Sequence, residues 1–165
     1  LLMITRATTM EEVETATGMK MKPIDLKRMH ALCTDAGTLI FDSDGNGKHR
    51  LKLLYAKPEA RGQDAKDLIN EAFSWMFVNT DAMTIIGVFD LDNLACKAMV
   101  PHTPYKSLIE SDGQYVYTIT VASWIKARDV NEAARAMADA GFADKANAVV
   151  SAWNAWVNKR GVTNG

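Results

Sequence analysis

The chain has 165 residues, 48% of them hydrophobic and 24% charged, with a net charge of -1. That is the balance of one globular domain long enough to bury a core. It argues against a general nucleic-acid or membrane-surface binder, and no apolar run approaches the roughly 20 residues that a membrane-spanning helix needs. Cys33 and Cys96 are far apart, with no CxxC and no histidine cluster around them. They read as two reduced, buried thiols of a cytosolic-type protein. No basic region followed by an apolar core opens the chain, so no signal peptide is expected. There is no internal repeat or low-complexity tract.

In chain order, Leu2–Arg6 reads as a short strand. Thr9-Met-Glu-Glu12 is a capping-box pattern and predicts a helix to about Thr17, ended by Gly18. Pro23 suits the first turn of a second helix, with Leu26, Met29, His30 and Cys33 on one face and Gly37 closing it. His30 there reads as a core or boundary histidine rather than a catalytic one. Thr38–Phe41 reads as a strand. Asp42-Ser-Asp-Gly-Asn-Gly47 matches the first half of a calcium-binding EF-hand loop. The second half fails: Leu53 stands where a bidentate Glu is required, and Lys48, His49 and Arg50 bring positive charge. The segment therefore predicts a polar hairpin turn, with Gly and Asn supplying positive φ, and no metal site.

The stretch from Arg50 to Val100 organises the rest. Arg50–Ala56 reads as a strand in which Leu51, Leu53 and Tyr55 alternate with Lys52, and Lys57–Gln63 as a loop. Asp64–Asn79 reads as a helix, because Ala65, Leu68, Ile69, Ala72, Phe73 and Met76 form one continuous apolar face. Asp64 can cap it or sit against its dipole. Met83–Phe89 is a short apolar run rich in β-formers, fitting a strand covered on both faces. Strand, helix and strand make a βαβ unit. Asn93–Met99 looks like two helical turns, Pro101 and Pro104 stop regular structure, and Tyr115–Val121 is a strand. From Lys126 the character changes. Asp129 and Glu132 make a capping-box variant, Val130, Ala133, Ala134, Met137 and Ala138 form one stripe, and Gly141 is a good helix end. Ala146, Val149, Val150, Trp153 and Val157 form a second stripe. The expected organisation is a main domain over residues 1–125, a helical hairpin over 126–158 packed on or extending it, and a tail over 159–165. Trp153 reads as core; Trp156 reads equally as core or as an interface anchor.

Up to Trp124 the order of these elements resembles the GCN5-related N-acetyltransferase (GNAT) fold, most strongly over Tyr55–Met99. The implied class is α/β (α+β): a mixed central sheet flanked by helices, here with the hairpin appended. In that family a central strand precedes an Arg/Gln-x-x-Gly-x-Gly/Ala loop. Its backbone N–H groups, with the start of the next helix, hold the coenzyme A pyrophosphate. Here Arg61 and Gly62 match the Arg-Gly start, while the next two glycine positions are Asp64 and Lys66. The Asp64 carboxylate costs on the order of 1 kcal/mol beside a pyrophosphate at partial exposure, and Lys66 offsets part of it. The family's Asn after the following strand, with a small residue two or three places on, is matched by Asn93, Ala95 and Cys96. The resemblance thus implies Arg61, Gly62 and Asn93 as coenzyme A-binding candidates.

In many members a Tyr seven residues after that Asn protonates the leaving thiolate, and a Gly-Phe pair follows. Here the seventh residue is Val100, and Pro101–Pro104 occupies the Gly-Phe position. His102 and Tyr105 remain as candidate acids; Glu59, Asp90 and Asp92 are candidate bases only by lying near strand ends. The family carries three strands between its second and third helices, and this sequence shows two. The run from Ala72 to Ala82, then a strand and Asn93, is similar to small GNAT-like proteins of tailed bacteriophages, some of them head-assembly or internal virion proteins.

The altered loop and Val100 favour a non-catalytic phage component of the head, tail or virion interior. That reading carries no cofactor and places the protein in the virion or the host cytoplasm. Its partners would be other virion proteins or a second copy, met through the 126–158 hairpin, with no nucleic acid or membrane. The alternative is an active N-acetyltransferase holding acetyl-CoA through strand backbone and Arg61. A third reading is a plain α/β domain whose motif matches are coincidental.

Overall fold

A computed structural model describes residues 3–160. Its centre is one mixed sheet of seven strands: β1 (Thr5–Arg6), β2 (His30–Thr34), β3 (Gly37–Gly45), β4 (Lys48–Ala56), β5 (Thr84–Asp90), β6 (Ser107–Ser111) and β7 (Gln114–Thr120). The spatial order is β1-β2-β3-β4-β5-β7-β6. Every pairing is antiparallel except β4 with β5. The helices are α1 (Met10–Thr17), α2 (Gln63–Asn79), α3 (Leu94–Met99), α4 (Val121–Ile125), α5 (Val130–Asp139) and α6 (Ala143–Lys159). This is the mixed, helix-flanked architecture expected. The predicted first strand starts at Leu2, which lies outside the described residues, as do residues 161–165 of the tail.

α1 forms as its capping signal predicts. Thr9 Oγ1 accepts from the Glu12 N–H at 3.2 Å, and Gly18 ends the helix at φ 67°. The second helix predicted from Pro23 does not form. Its last part is β2, a five-residue strand with ladders to β1 and β3 on both edges. Leu26, Met29, His30 and Cys33 fit a helical spacing, but Leu32 and Ala31 are buried on opposite faces of the sheet. Pairing on two edges outweighs weak local propensity. β2 is also the third strand that the sequence reading lacked. At the turn into β3, Gly37 has φ 155°, and a Cβ there would collide with the Tyr55 carbonyl oxygen and meet Leu68 Cδ2 at 3.0 Å. Only glycine lets these backbones approach so closely.

The Asp42–Gly47 segment is the continuation of β3 into a two-residue hairpin turn. Asn46 (φ 54°) and Gly47 (φ 76°) both adopt positive φ, the type I′ geometry. Asp44 pairs with Arg50 (2.6 Å) and Asp42 with Arg28 (3.5 Å), so both carboxylates face cations of the chain itself. The Gly47 carbonyl then accepts from the Met83 and Thr84 N–H groups, tying the turn to the start of β5.

α2 lies across one face of the sheet and buries Ala65, Leu68, Ile69, Ala72, Phe73, Met76 and Phe77 against Leu39, Phe41, Ile85 and Ile119. Each large side chain contributes about 1.5–3 kcal/mol by leaving water. α1 and the segment after it cover the other face around Ala31 and Ile40. The hairpin of α5 and α6 packs on α2, adding Ala133, Ala134, Met137, Ala146 and Val149 to the main core. Lys145 of α6 donates to the Phe77 and Thr80 carbonyls at the end of α2. Trp153 is partly buried against that core, and Trp156 stacks beside it under the Arg160 guanidinium at 4.8 Å. Two elements had no counterpart in the sequence reading. β6 is an edge strand, and α4 follows directly from Thr120, whose hydroxyl accepts from the Ser123 N–H.

Candidate active site

β4 and β5 run parallel but pair over only three positions, Lys48 with Thr84, His49 with Ile85 and Arg50 with Ile86. Past Arg50 they separate. On its other edge β4 pairs Leu51 with Phe41 and Leu53 with Ile40, leaving Lys52 as an extra residue. Such a bulge bends and twists its strand. β5 meanwhile stays in unbroken register with β7, from Thr84 opposite Thr120 to Asp90 opposite Gln114. One strand turns away and the other does not, so a wedge opens between them.

The wedge is a mainly apolar cleft of about 230 Å³. Leu51–Leu54 of β4 and Gly87–Phe89 of β5 form its sides, and Ile69 and Phe73 of α2 its floor. Asn93, Cys96 and Met99 contribute from α3, then Val100 and Thr103 beyond it, and Tyr117 from β7. Leu51 and Gly87, the first residues past the last pair, mark the narrow end. A Cβ at Gly87 would sit 3.9 Å from the Leu51 side chain and 4.0 Å from the Tyr117 ring. Along the open sides the strands lack each other as partners, which leaves backbone donors and acceptors for a guest.

Four polar groups of the cleft lining, Asn93, Cys96, Thr103 and Tyr117, have defined partners or states. Asn93 caps α3, its Oδ1 accepting from the Cys96 N–H at 3.1 Å. Burial pushes the Cys96 thiol up, so it is protonated at neutral pH. Burial likewise pushes the Tyr117 phenol well above its ordinary range. Tyr117 donates to Thr103 Oγ1 at 2.7 Å, and the Thr103 hydroxyl donates to the Val100 carbonyl at 2.7 Å.

At the wide end β4 leads through a short turn, Pro58–Ala60, to the start of α2. Gly62, at φ 106°, is the N-cap and supplies no side chain. The first intrahelical bond runs from the Lys66 N–H to the Gly62 carbonyl, 3.2 Å. The N–H groups of the first turn are therefore unpartnered within the helix and aimed out of its N-terminus. Nothing lies within 4 Å of where a Gly62 Cβ would be. Asp64 does not cap the helix: it stands inside the first turn and is exposed. Arg61 is exposed beside it, donating from Nε to the Ala56 carbonyl at 3.4 Å.

The structure therefore groups Asn93, Cys96 and Val100 in the cleft and Arg61, Gly62 and Asp64 beyond its wide end. His102 is exposed on the turn Val100–His102, and its carbonyl accepts from Asn70 Nδ2 at 3.0 Å. Tyr105 is 43% exposed, its ring 6.4 Å from that of Tyr117. Neither lines the cleft, and neither do Glu59, Asp90 or Asp92. Tyr117, Thr103 and Lys52 do line it and were not singled out from sequence. The available signal was Gly87, because a glycine inside a strand marks a bulge or a close approach by a ligand or another backbone.

Solved structures match this arrangement over most of the chain. Campylobacter jejuni N-acetyltransferase PseH superposes with a TM-score of 0.54 at 18% identity, covering 73% of this chain and 99% of that one. The same enzyme in complex with acetyl coenzyme A gives 0.56 at 17% identity, over 73% and 99%. Mutant forms of the spermidine/spermine N-acetyltransferase SpeG from Vibrio cholerae give 0.58 at 11% identity, over 78% and 100%. The fold is that of the GCN5-related N-acetyltransferases. No protein-family model and no curated protein sequence matches the chain.

The GNAT comparison also corrects the function expected from sequence. A non-catalytic virion component is overturned: the solved structures named above are N-acetyltransferases, one of them holding acetyl coenzyme A, and nothing in them points to a virion role. The departures that suggested lost chemistry do not close the site. Asp64 is exposed at the helix start, Lys66 is outside the cleft, and Gly62 keeps its place as the cap. Among the described residues no helix is long and apolar enough to cross a membrane, and no group of three or more His, Cys, Asp or Glu side chains is placed to hold a metal.

Proposed function

We propose that the chain is an acetyl-CoA-dependent N-acetyltransferase. The observation that carries this reading is the wedge between β4 and β5: three paired positions, a bulge, then an open apolar cleft. The residues present fit the cosubstrate. An extended, amide-bearing arm can bond to the free edges of β4 and β5 as an added strand would. The unpaired N–H groups at the start of α2, with Gly62 leaving the backbone accessible, suit a pyrophosphate. Arg61 supplies a cation next to them. When bound, acetyl-CoA brings an acyl group already activated as a thioester. The protein's part is to hold that group at the narrow end by Leu51 and Gly87, to line it with Phe73 and Val100 so that water is excluded, and to leave one face open to an amine.

Calorimetric titration with acetyl-CoA at moderate salt tests the reading. Micromolar binding is expected, weakened by Arg61→Ala and left alone or tightened by Asp64→Gly. No heat of binding up to millimolar acetyl-CoA overturns it.

A further inference from the structure

We infer that the acceptor is a small amine with an apolar group on one side of its nitrogen and an anionic group on the other, as in an apolar α-amino acid, and that Lys52 selects the anion. This rests on the acetyltransferase reading above. α2 and α3 line the wedge from one face of the sheet, so an amine reaches a thioester held there from the other face. α1 and the segment after it cover that second face from β2 only as far as Leu53 of β4. Beyond the wedge the face is apolar and open. Ile85 on β5 and Tyr117 on β7 point into the core, so by alternation Ile86, Val88 and Val116 point away from it. Val88 stands opposite Val116, and Val116 opposite Ile109, which makes one apolar row across β5, β7 and β6. None of these side chains packs into the core on either face, and Val88 is 43% and Ile109 58% exposed. Val88 also lines the cleft, so the row ends at the wedge.

Lys52 stands on the other side of the wedge. It is the extra residue of the β4 bulge, it is exposed, and it is the one charged residue of the cleft lining. Its cationic neighbours are already paired, Arg50 with Asp44 and Arg28 with Asp42, whereas Lys52 has no ion pair among the described residues. The Asp44 carboxyl, held low first by the Arg50 hydrogen bond, also feels the Lys52 charge, which places that ammonium on the same face as Arg50. Arg50 pairs with Ile86, so this is also the face of the apolar row. No carboxylate lines the cleft, and a polyamine there would meet only repulsion. An apolar α-amino acid fits the arrangement, because its nitrogen sits on the carbon between side chain and carboxylate. With the side chain on Val88 and Val116 and the carboxylate on Lys52, the nitrogen is left over the wedge. The neutral amine then bonds to the acyl carbon as the carbon–sulfur bond breaks. One amine proton ends on the coenzyme A thiol, and the proton shed when the ammonium becomes neutral goes to water.

The test follows thiol release from saturating acetyl-CoA with phenylalanine and with phenylalaninamide, which keeps the side chain and removes the anion. Lys52→Ala lowers the phenylalanine-to-phenylalaninamide ratio of kcat/KM by about tenfold, the worth of a hydrogen bond to a charged group. Lys52→Arg keeps most of the ratio, and Lys52→Glu lowers it further. The ratio cancels any effect of the substitution on acetyl-CoA itself. Val88→Thr, which keeps the shape, lowers kcat/KM for phenylalanine by about threefold and leaves that for alanine unchanged. A ratio unmoved by Lys52→Ala, or spermidine preferred to phenylalanine by a wild type that binds acetyl-CoA, overturns the assignment while the acetyltransferase reading stands. So does a dimer in light scattering that Ile109→Asp splits with phenylalanine kinetics unchanged, since the face would then belong to a second copy. Failure of wild type to bind acetyl-CoA overturns both.

Discussion

His30 makes the fold acid-sensitive, by an amount that can be worked out. The ring is half-buried on β2, between Trp75 of α2 (centroids 6.0 Å apart) and His49 of β4 (5.9 Å). Burial, then the nearby Arg6 and His49, push its pKa down to about 4, with Asp81 opposing weakly. An unfolded chain returns it to about 6.5. Between those values the unfolded state binds more protons than the native one, so stability is full above about pH 6.5 and falls as pH drops toward 4. At pH 5 the loss for a fully buried ring would be about 2 kcal/mol; half-burial lets solvent screen it to on the order of 1 kcal/mol. His30→Leu removes the titration. The assay is urea denaturation of both proteins at pH 7 and pH 5. Wild type should lose about 1 kcal/mol more than the variant on acidification. Equal losses would show that His30 does not titrate differently on folding, and the reasoning fails.

Other outcomes follow from the same contacts. Lys145→Met removes the donor shared by the Phe77 and Thr80 carbonyls and should cost about 1–3 kcal/mol in chemical denaturation. Gly37→Ala should not yield folded protein by circular dichroism, since the new Cβ meets the rigid Tyr55 backbone. In a Cys33→Ser background, Cys96 should alkylate slowly because burial keeps its thiol protonated, and acetyl-CoA should slow it further; mass spectrometry with and without the cosubstrate reads both effects.

Much of the fold was legible because its strongest elements carry local signals. The α2 stripe from Ala65 to Met76, the Thr9 cap with Gly18, and Asn46-Gly47 as a hairpin turn each state their conformation within a few residues. β2 was not legible for the opposite reason. His-Ala-Leu-Cys-Thr has little β preference, its apolar spacing also fits a helix, and only the ladders to β1 and β3 decide it. β6 follows two prolines and is polar at both ends, so no periodic run announces it. The cleft was the least legible feature. It depends on a one-residue register shift at Lys52 and on where β4 stops pairing, neither of which leaves a pattern in composition. Tyr117 was recognised as part of a strand, but which way it points follows from its register with Gly87.

On the proposed acetyltransferase reading, the altered loop before α2 need not mean a lost site. What binds an anion at a helix start is backbone: oriented N–H groups and the dipole behind them. Those groups depend on side chains only where a side chain obstructs or caps them. Gly62 sits at the cap, where obstruction would matter most, and no side chain accepts from the first turn. Asp64 lies one residue into the helix and is exposed. Its charge costs on the order of 1 kcal/mol beside a pyrophosphate, about a fivefold change in affinity. Screening reduces that cost further. On that reading, substitutions at positions 64 and 66 should only tune affinity, whereas Gly62→Ala would strain a backbone held at φ 106° and shift the amides themselves. If Asp64→Gly and Gly62→Ala changed acetyl-CoA affinity in the same direction and by the same factor, the backbone account of this loop would be wrong.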